Sequence, residues 1–337
     1  MNRKFVLAGA AVAGVALIVC ALIVTTPQER TLPFVYIVYG GEKGDLSYTD
    51  SAYRGIFSAQ EVMPFSKREF VAFDRKTLSK LMNSTNPERP GLVITIGYTY
   101  ADETRSLAAE NPDIRFLAID QIGSGSGNLR TYEITSYGES YLAGVLAASA
   151  TKTNHIGILL GTQSDLLNGF RQGYLDGARA AEPSIIVEEA YVRDNSTTGF
   201  SDTVRAGEIA RAMYHNGTDV IYTVAGFSGT GAIIEAKAAP GQYIIGVDTD
   251  QTDLGPSVVL ASAVKRLDRI VYTGIDDYLN GSFTGGEKVA GLQDGATGLV
   301  FNPKFNAYNE TVSLWTVKAQ EGENRYLATR KTTIEGK

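Results

Sequence analysis

The chain has 337 residues, more than one hydrophobic core usually serves, and 44% apolar with 20% charged residues is the make-up of an ordinary globular protein. Its net charge is −6; Arg3, Lys4 and Arg30 against Glu29 give the first thirty residues +2, so −8 and no basic stripe remain on the rest, which argues against a nucleic-acid partner. The lone cysteine, Cys20, excludes an internal disulfide and a multi-cysteine metal site, and two histidines are too few and too poorly placed for an acid–base centre.

Arg3 and Lys4 precede an uninterrupted apolar run of 20 residues, 5–24, long enough to span a bilayer as a helix. It reads as an export signal or as an uncleaved anchor with the amino terminus held inside. Leu17-Ile18-Val19-Cys20 partly resembles a bacterial lipobox, which would make Cys20 a lipidated first residue. Val19 in place of a small residue, and four more apolar residues after Cys20, count against that and favour the anchor. Either arrangement puts residues 32–337 outside the cytoplasm.

From Pro33 onward, β-branched runs recur at 34–39, 70–73, 92–96, 114–119, 132–135, 155–160, 185–192, 220–224 and 243–247. Helix-like stretches separate most of them, at 47–62, 101–109, 166–181, 201–214 and 229–238, and a small-residue helix is expected over 138–151. Such alternation predicts βαβ units and largely parallel sheets. No Pro- or Ser-rich tract interrupts it, so two lobes joined by short crossovers fit better than two tethered beads. Gly123-Ser124-Gly125-Ser126-Gly127 is not a dinucleotide loop, because the residues after it, 128–135, read as a strand and not a helix.

The stretch 243–268 carries the most chemistry. A buried-looking strand ends in Asp248, Asp250 and Gln251, and a second β-branched run, 258–264, leads to Lys265 and Arg266. Carboxylates at the carboxyl end of a strand face a crevice in an open α/β sheet, although Asp also caps turns.

Five blocks in order resemble the basic membrane protein family of ABC-transporter substrate-binding proteins, whose best-understood members are purine nucleoside receptors. They are Gly44-Asp45-Leu46-Ser47-Tyr48-Thr49-Asp50-Ser51-Ala52-Tyr53-Arg54-Gly55, Gly138-Glu139-Ser140-Tyr141-Leu142-Ala143-Gly144, 226–231, Gly246-Val247-Asp248-Thr249-Asp250-Gln251 and Val264-Lys265-Arg266. The first is similar to the family's loop of Asp, Ser-Phe-Asn and Ser-Ala-aromatic. Thr49 stands in place of the usual Asn, and Gly44 where a second acid is frequent. The resemblance implies an α/β type I periplasmic-binding-protein fold, with two Rossmann-like lobes, three crossovers and a ligand cleft between them. Lobe one is expected to hold residues 31–135 and about 252–284, and lobe two 136–251 and about 285–337, after a signal or anchor at 1–30.

The resemblance also implies the ligand contacts. Tyr53 and Phe227 would sandwich a base, though Tyr53 and Phe57 also have the i, i+4 spacing of a packed helix face. Asp45 and Glu139 would accept from ring or ribose donors, with Thr49 beside them; Glu139 is equally suited to a helix's first turn. Asp248 and Lys265 form a sugar-side pair or, alternatively, an ion pair across the hinge that touches no ligand. The implied partners are a small molecule, with a nucleoside leading, and ABC permease subunits; no cofactor or metal is expected, and the chain is expected to be monomeric.

Two other classes compete with this receptor reading. A nucleoside-processing enzyme would need a base beyond carboxylates, and a calcium-dependent one more acids near Asp45 than Gly44 and Leu46 provide. A membrane-anchored sensor of the same fold remains the alternative.

Overall fold

The β-branched runs become the strands of two six-stranded sheets. The computed structural model describes residues 32–335 apart from Ser84 and Ser124; the apolar run 5–24 and Cys20, with the anchor and lipidation expectations, lie outside the described residues. Among the described residues no helix is long and apolar enough to cross a membrane.

The chain opens with β1 (Phe34–Tyr39), α1 (Tyr48–Val62), β2 (Ser66–Phe70), α2 (Arg75–Leu81), β3 (Pro90–Ile96), α3 (Ala101–Glu110), β4 (Arg115–Ile119) and β5 (Leu129–Ile134). It crosses to a second unit through α4 (Tyr137–Ala150), β6 (His155–Leu160), α5 (Asp165–Ala181), β7 (Ile186–Tyr191), α6 (Thr203–His215), β8 (Val220–Val224), α7 (Gly229–Ala236), β9 (Tyr243–Asp248) and β10 (Val259–Lys265). It returns for α8 (Leu267–Leu279) and β11 (Gly286–Ala290), then ends on the second unit with β12 (Thr297–Phe301), α9 (Ala307–Ser313) and α10 (Thr316–Glu335). The first sheet runs β11-β5-β4-β3-β1-β2 and the second β12-β10-β9-β8-β6-β7. All pairings are parallel except β10 with β12. Apolar clusters cover both faces of each sheet, as parallel sheets require.

Two lobe boundaries differ from expectation. β10 pairs with β9, so 252–265 belongs to the second lobe, and β11 pairs with β5 in the first. All seven residues of β10 are buried, which demands a central position, whereas the Glu287 and Lys288 of β11 suit an edge. The chain therefore changes lobe after Ile134, after Lys265 and after Ala290. The strand expected at 70–73 lies earlier, at Ser66–Phe70, because an edge strand reading Ser-Lys-Arg-Glu-Phe has almost no apolar signal.

The second lobe rests on an unusually close helix pair. An added Cβ at Gly177 of α5 would lie 1.9 Å from the Tyr141 carbonyl oxygen of α4, and one at Gly173 would lie 2.2 Å from that of Tyr137. Backbone, unlike a long side chain, cannot move aside. Gly177→Ala is expected to destabilise the protein by at least ~1–3 kcal/mol, the usual cost of overpacking. Thermal unfolding reads this as a melting temperature lower by several degrees, and an unchanged value would show that the helices can part freely.

Candidate functional site

The carboxyl ends of β4 and β9 meet where the lobes face each other. β9 ends in Asp248 and β4 is followed by Asp120, both in the left-handed backbone region, at φ 62° and 55°. Asp tolerates this turn, and there it swings a carboxylate off the strand end. Lys265, the last residue of β10, is only 2% exposed and donates from Nζ to Asp120 Oδ2 at 2.8 Å. Ser47, just before α1, donates from Oγ to Asp248 Oδ2 at 2.6 Å. The Thr249 hydroxyl and Gln251 amide both donate to the Leu46 carbonyl, at 3.0 and 3.3 Å. Each of these bonds joins one lobe to the other, so the cleft floor is a buried polar contact.

Charge in this floor is finely balanced. Burial pushes the Asp248 carboxyl up to about 6, against the pull of Lys265 and the Ser47 bond, with Asp45 and Asp120 adding to the rise. Burial acts on Lys265 in the opposite direction, but Asp120 and Asp248 outweigh it and raise its ammonium above the ordinary value. Burial, followed by repulsion from Glu323, pushes Glu139 up to about 8, although Lys265 opposes the shift. The Tyr48 hydroxyl is buried beside Asp120, Asp248 and Asp45, and burial first, then these acids with Asp120 foremost, raise it well above its usual range.

The sequence-derived candidates divide. Asp248 and Lys265 come together, but the ammonium bonds directly to Asp120 and reaches Asp248 only through space. Asp45 lies at the margin: its two oxygens accept from the backbone N–H groups of Ser47, Thr49 and Asp50, at 3.0, 2.8 and 3.1 Å, winding the start of α1. Thr49 is buried under that loop, with its hydroxyl against Gly41. Tyr53 is half-buried against the core of the first lobe, with Lys43 Nζ 4.8 Å and Lys67 Nζ 5.3 Å from its ring centroid. Phe227 follows the left-handed Gly226 and is 37% exposed, in the loop between β8 and α7. Glu139 is fully buried in the first turn of α4, behind Lys265.

Sequence reading missed Ser47, Tyr48, Asp120 and Phe170. Lys265 Nζ lies 5.1 Å from the Phe170 ring centroid and 5.9 Å from that of Tyr48, so two rings flank the ammonium. The signals were available: Asp120 follows an apolar strand as Asp248 does, and Tyr48 occupies the aromatic place in the Ser-Phe-Asn part of the first-loop motif. An open groove of about 560 Å³ beyond β7, lined by Arg193, Asp202 and neighbours, contains none of these residues. We place the site at the polar floor, where both lobes contribute buried charge.

This geometry, two lobes closing over convergent polar groups at strand ends, is that of a binding cleft. The model of the Bmp family, described as ABC transporter substrate-binding protein PnrA-like, matches residues 33–325. The chain belongs to this family. Basic membrane protein A1 of Borrelia garinii subsp. bavariensis is 34% identical over 82% of this chain and 82% of its own length. The ABC transporter nucleoside-binding protein BmpA of Lactococcus lactis subsp. cremoris is 34% identical over 76% of this chain and 77% of its own. Among solved structures, a solute-binding protein of an ABC transporter system from Aeropyrum pernix K1 superposes with a TM-score of 0.72 at 23% identity. That superposition covers 89% of this chain and 86% of the other, and confirms the type I periplasmic-binding architecture. This Bmp-family chain is thus an ABC-transporter substrate-binding protein, with a small-molecule ligand and permease subunits as its implied partners.

Proposed function

We propose that this protein captures a nucleoside, with purine nucleosides foremost, outside the cytoplasm and delivers it to an ABC permease, held at the membrane by its N-terminal segment. It acts as a monomer and without catalysis. One observation carries the reading: Asp248 and Lys265 of one lobe meet Ser47 and Asp120 of the other in a buried floor. Hinge closure around a ligand would complete such a floor, and the closed form is what a permease recognises. A carboxylate there suits ribose hydroxyls as donors. Asp120 and Asp248 around a single lysine disfavour a phosphate, so a nucleoside fits better than a nucleotide. The nucleoside-binding BmpA of Lactococcus lactis supports the same class of ligand.

The test is a thermal-shift and calorimetric panel on the full chain in detergent, with adenosine, inosine, free bases, ribose and AMP, alongside mass spectrometry of whatever co-purifies. A ligand at a hundredfold excess over Kd adds ~2.7 kcal/mol of stability. Adenosine or inosine should shift melting and AMP should not; a panel in which no nucleoside registers rejects the proposal. Nucleosides should be recovered intact, and steady release of free base would move the protein to the enzyme class.

Phe227 presents an exposed ring for stacking from the loop side. Phe227→Ala should weaken nucleoside binding at least about tenfold, in line with ~1–3 kcal/mol per stacked base. Melting of the ligand-free protein should barely change, because the ring is partly solvated already. A lower melting point with affinity preserved would assign Phe227 to packing.

A further inference from the structure

The hinge holds more buried polar atoms than it has bonds for. Both carboxylate oxygens of Glu139 are buried and make no hydrogen bond of full geometry among the described residues. The hydroxyls of Thr135 and Ser136 at the first crossover, and of Thr297 after the third, are buried and make no bond of full geometry among the described residues, with Thr297 beside Glu139 and Thr135 beside Glu323. Into the same region α10 sends Glu323, 4% exposed. Its Oε1 accepts from the Gly138 N–H at 2.9 Å and its Oε2 from the Leu292 N–H at 3.0 Å. One carboxylate of the C-terminal helix thereby ties the first crossover to the third.

The groups facing Glu139 come from several elements. They are Glu323 of α10, Lys265 of β10, Tyr222 of β8 and the Thr297 hydroxyl of β12. Asp120 and Asp248 lie beyond Lys265, and Asp294 stands beside Glu323. The nearby ammonium, on Lys265, already donates to Asp120. Two buried carboxyls therefore adjoin with no bond from that cation to either.

We propose that Glu139 and Glu323 hold one proton between them in the hinge, and that neutral Glu139 is a positioning residue which leaves the Lys265 ammonium to Asp120 and Asp248. Adjacent buried carboxylates cannot both ionise without strong repulsion, and they titrate as a pair. The proton belongs on Glu139, because two backbone N–H groups bond the charged form of Glu323 at full geometry, whereas ionised Glu139 has only its own N–H and the Thr297 hydroxyl at looser geometry. A neutral carboxyl also supplies an O–H that a neighbouring hydroxyl can accept. Once ionised, Glu139 competes for Lys265 and draws the ammonium away from the cleft. The second half of the proposal rests on the nucleoside reading above; the first half does not.

The experiment has two arms on the full chain. In the first, ligand-free wild type and Glu139→Gln are melted between pH 5 and 9. The carboxyl is held up to about 8 when folded, above its unfolded value. Its contribution is therefore fully present below the unfolded value and lost as pH rises towards 8. The glutamine variant lacks that loss, so its melting temperature should gain on wild type across this interval and then hold a constant lead. A difference independent of pH overturns the shared proton. Infrared spectra provide a check that needs no variant: wild type at pH 7 should show the carbonyl stretch of a protonated carboxyl, fading above about pH 9. Its absence overturns the proposal even if Glu139→Gln fails to fold.

In the second arm adenosine is titrated from pH 6 to 9. Wild-type affinity should fall above pH 8, with a limiting slope of about tenfold per pH unit, while Glu139→Gln stays flat. Equal slopes in both proteins overturn the positioning role. If adenosine does not bind at any pH, the nucleoside reading and the positioning role fall with it, and the first arm still decides the proton.

Discussion

Lys265→Met is expected to be the most damaging substitution in the cleft, lowering unfolding free energy by ~3–5 kcal/mol, as for a buried pair broken by loss of one partner. Asp120 loses the ammonium it accepts from, and Asp248 loses its compensating charge while both stay buried. Ligand binding should fall below detection, since the remaining carboxylates repel one another. The loss should depend on pH in a defined direction. Asp248 is already held up to about 6 with Lys265 in place, and removing the cation pushes it higher. A raised carboxyl contributes stability that is fully present below its unfolded value and lost as pH rises through its folded one. The variant should therefore be closest to wild type near pH 5 and furthest from it at pH 8. Urea unfolding at the two pH values measures this, and a deficit that is small or equal at both would show that Lys265 does not hold the acids in charge.

Asp248→Ala is expected to change which ligands bind more than whether they bind. Hydrogen bonds to a charged group contribute ~1.5–3 kcal/mol, and a site built around a hydroxyl discriminates strongly against an analogue without it. Wild type should prefer a ribonucleoside to its free base and to the deoxy analogue missing the contacted hydroxyl; the variant should lose most of that preference and retain some affinity for the base. Asp248 has a second duty, because its Oδ2 accepts the Ser47 hydroxyl across the cleft. A group that only ties the lobes would weaken base, nucleoside and deoxynucleoside equally. Ser47→Ala separates the duties: it removes the tie, keeps the carboxylate and should preserve the ribose preference. Calorimetric titration of the three ligands against wild type and both variants decides, and an unchanged preference in Asp248→Ala removes that residue from ligand contact.

Several features were legible in local sequence because they depend on local physics. Alternating β-branched runs and helix-like stretches report which faces are buried, and they marked β1, β6, β8 and β9 with α1, α4 and α5 close to their observed bounds. Asp248 was legible because a carboxylate after a buried strand has few places to go except the crevice. Where burial was weak the signal failed, as at the polar edge strand β2 and in α2, whose start is set by the Asp74 cap on the Thr77 N–H.

What tertiary structure alone decided is pairing across distance. Lys265 meets Asp120 from 145 residues away, and Ser47 meets Asp248 from 201. No periodicity encodes such partners, since a charged residue at a strand end looks the same whichever acid it finally faces. Tyr53 illustrates the limit: its spacing allowed either stacking or packing, and only the folded first lobe sets it half-buried against the core with two lysines near its ring. The same holds for Glu323. In sequence it is one acid on a polar helix, and only the docking of α10 against α4 buries it beside Glu139, where the low dielectric turns an ordinary carboxylate into one that two crossovers share.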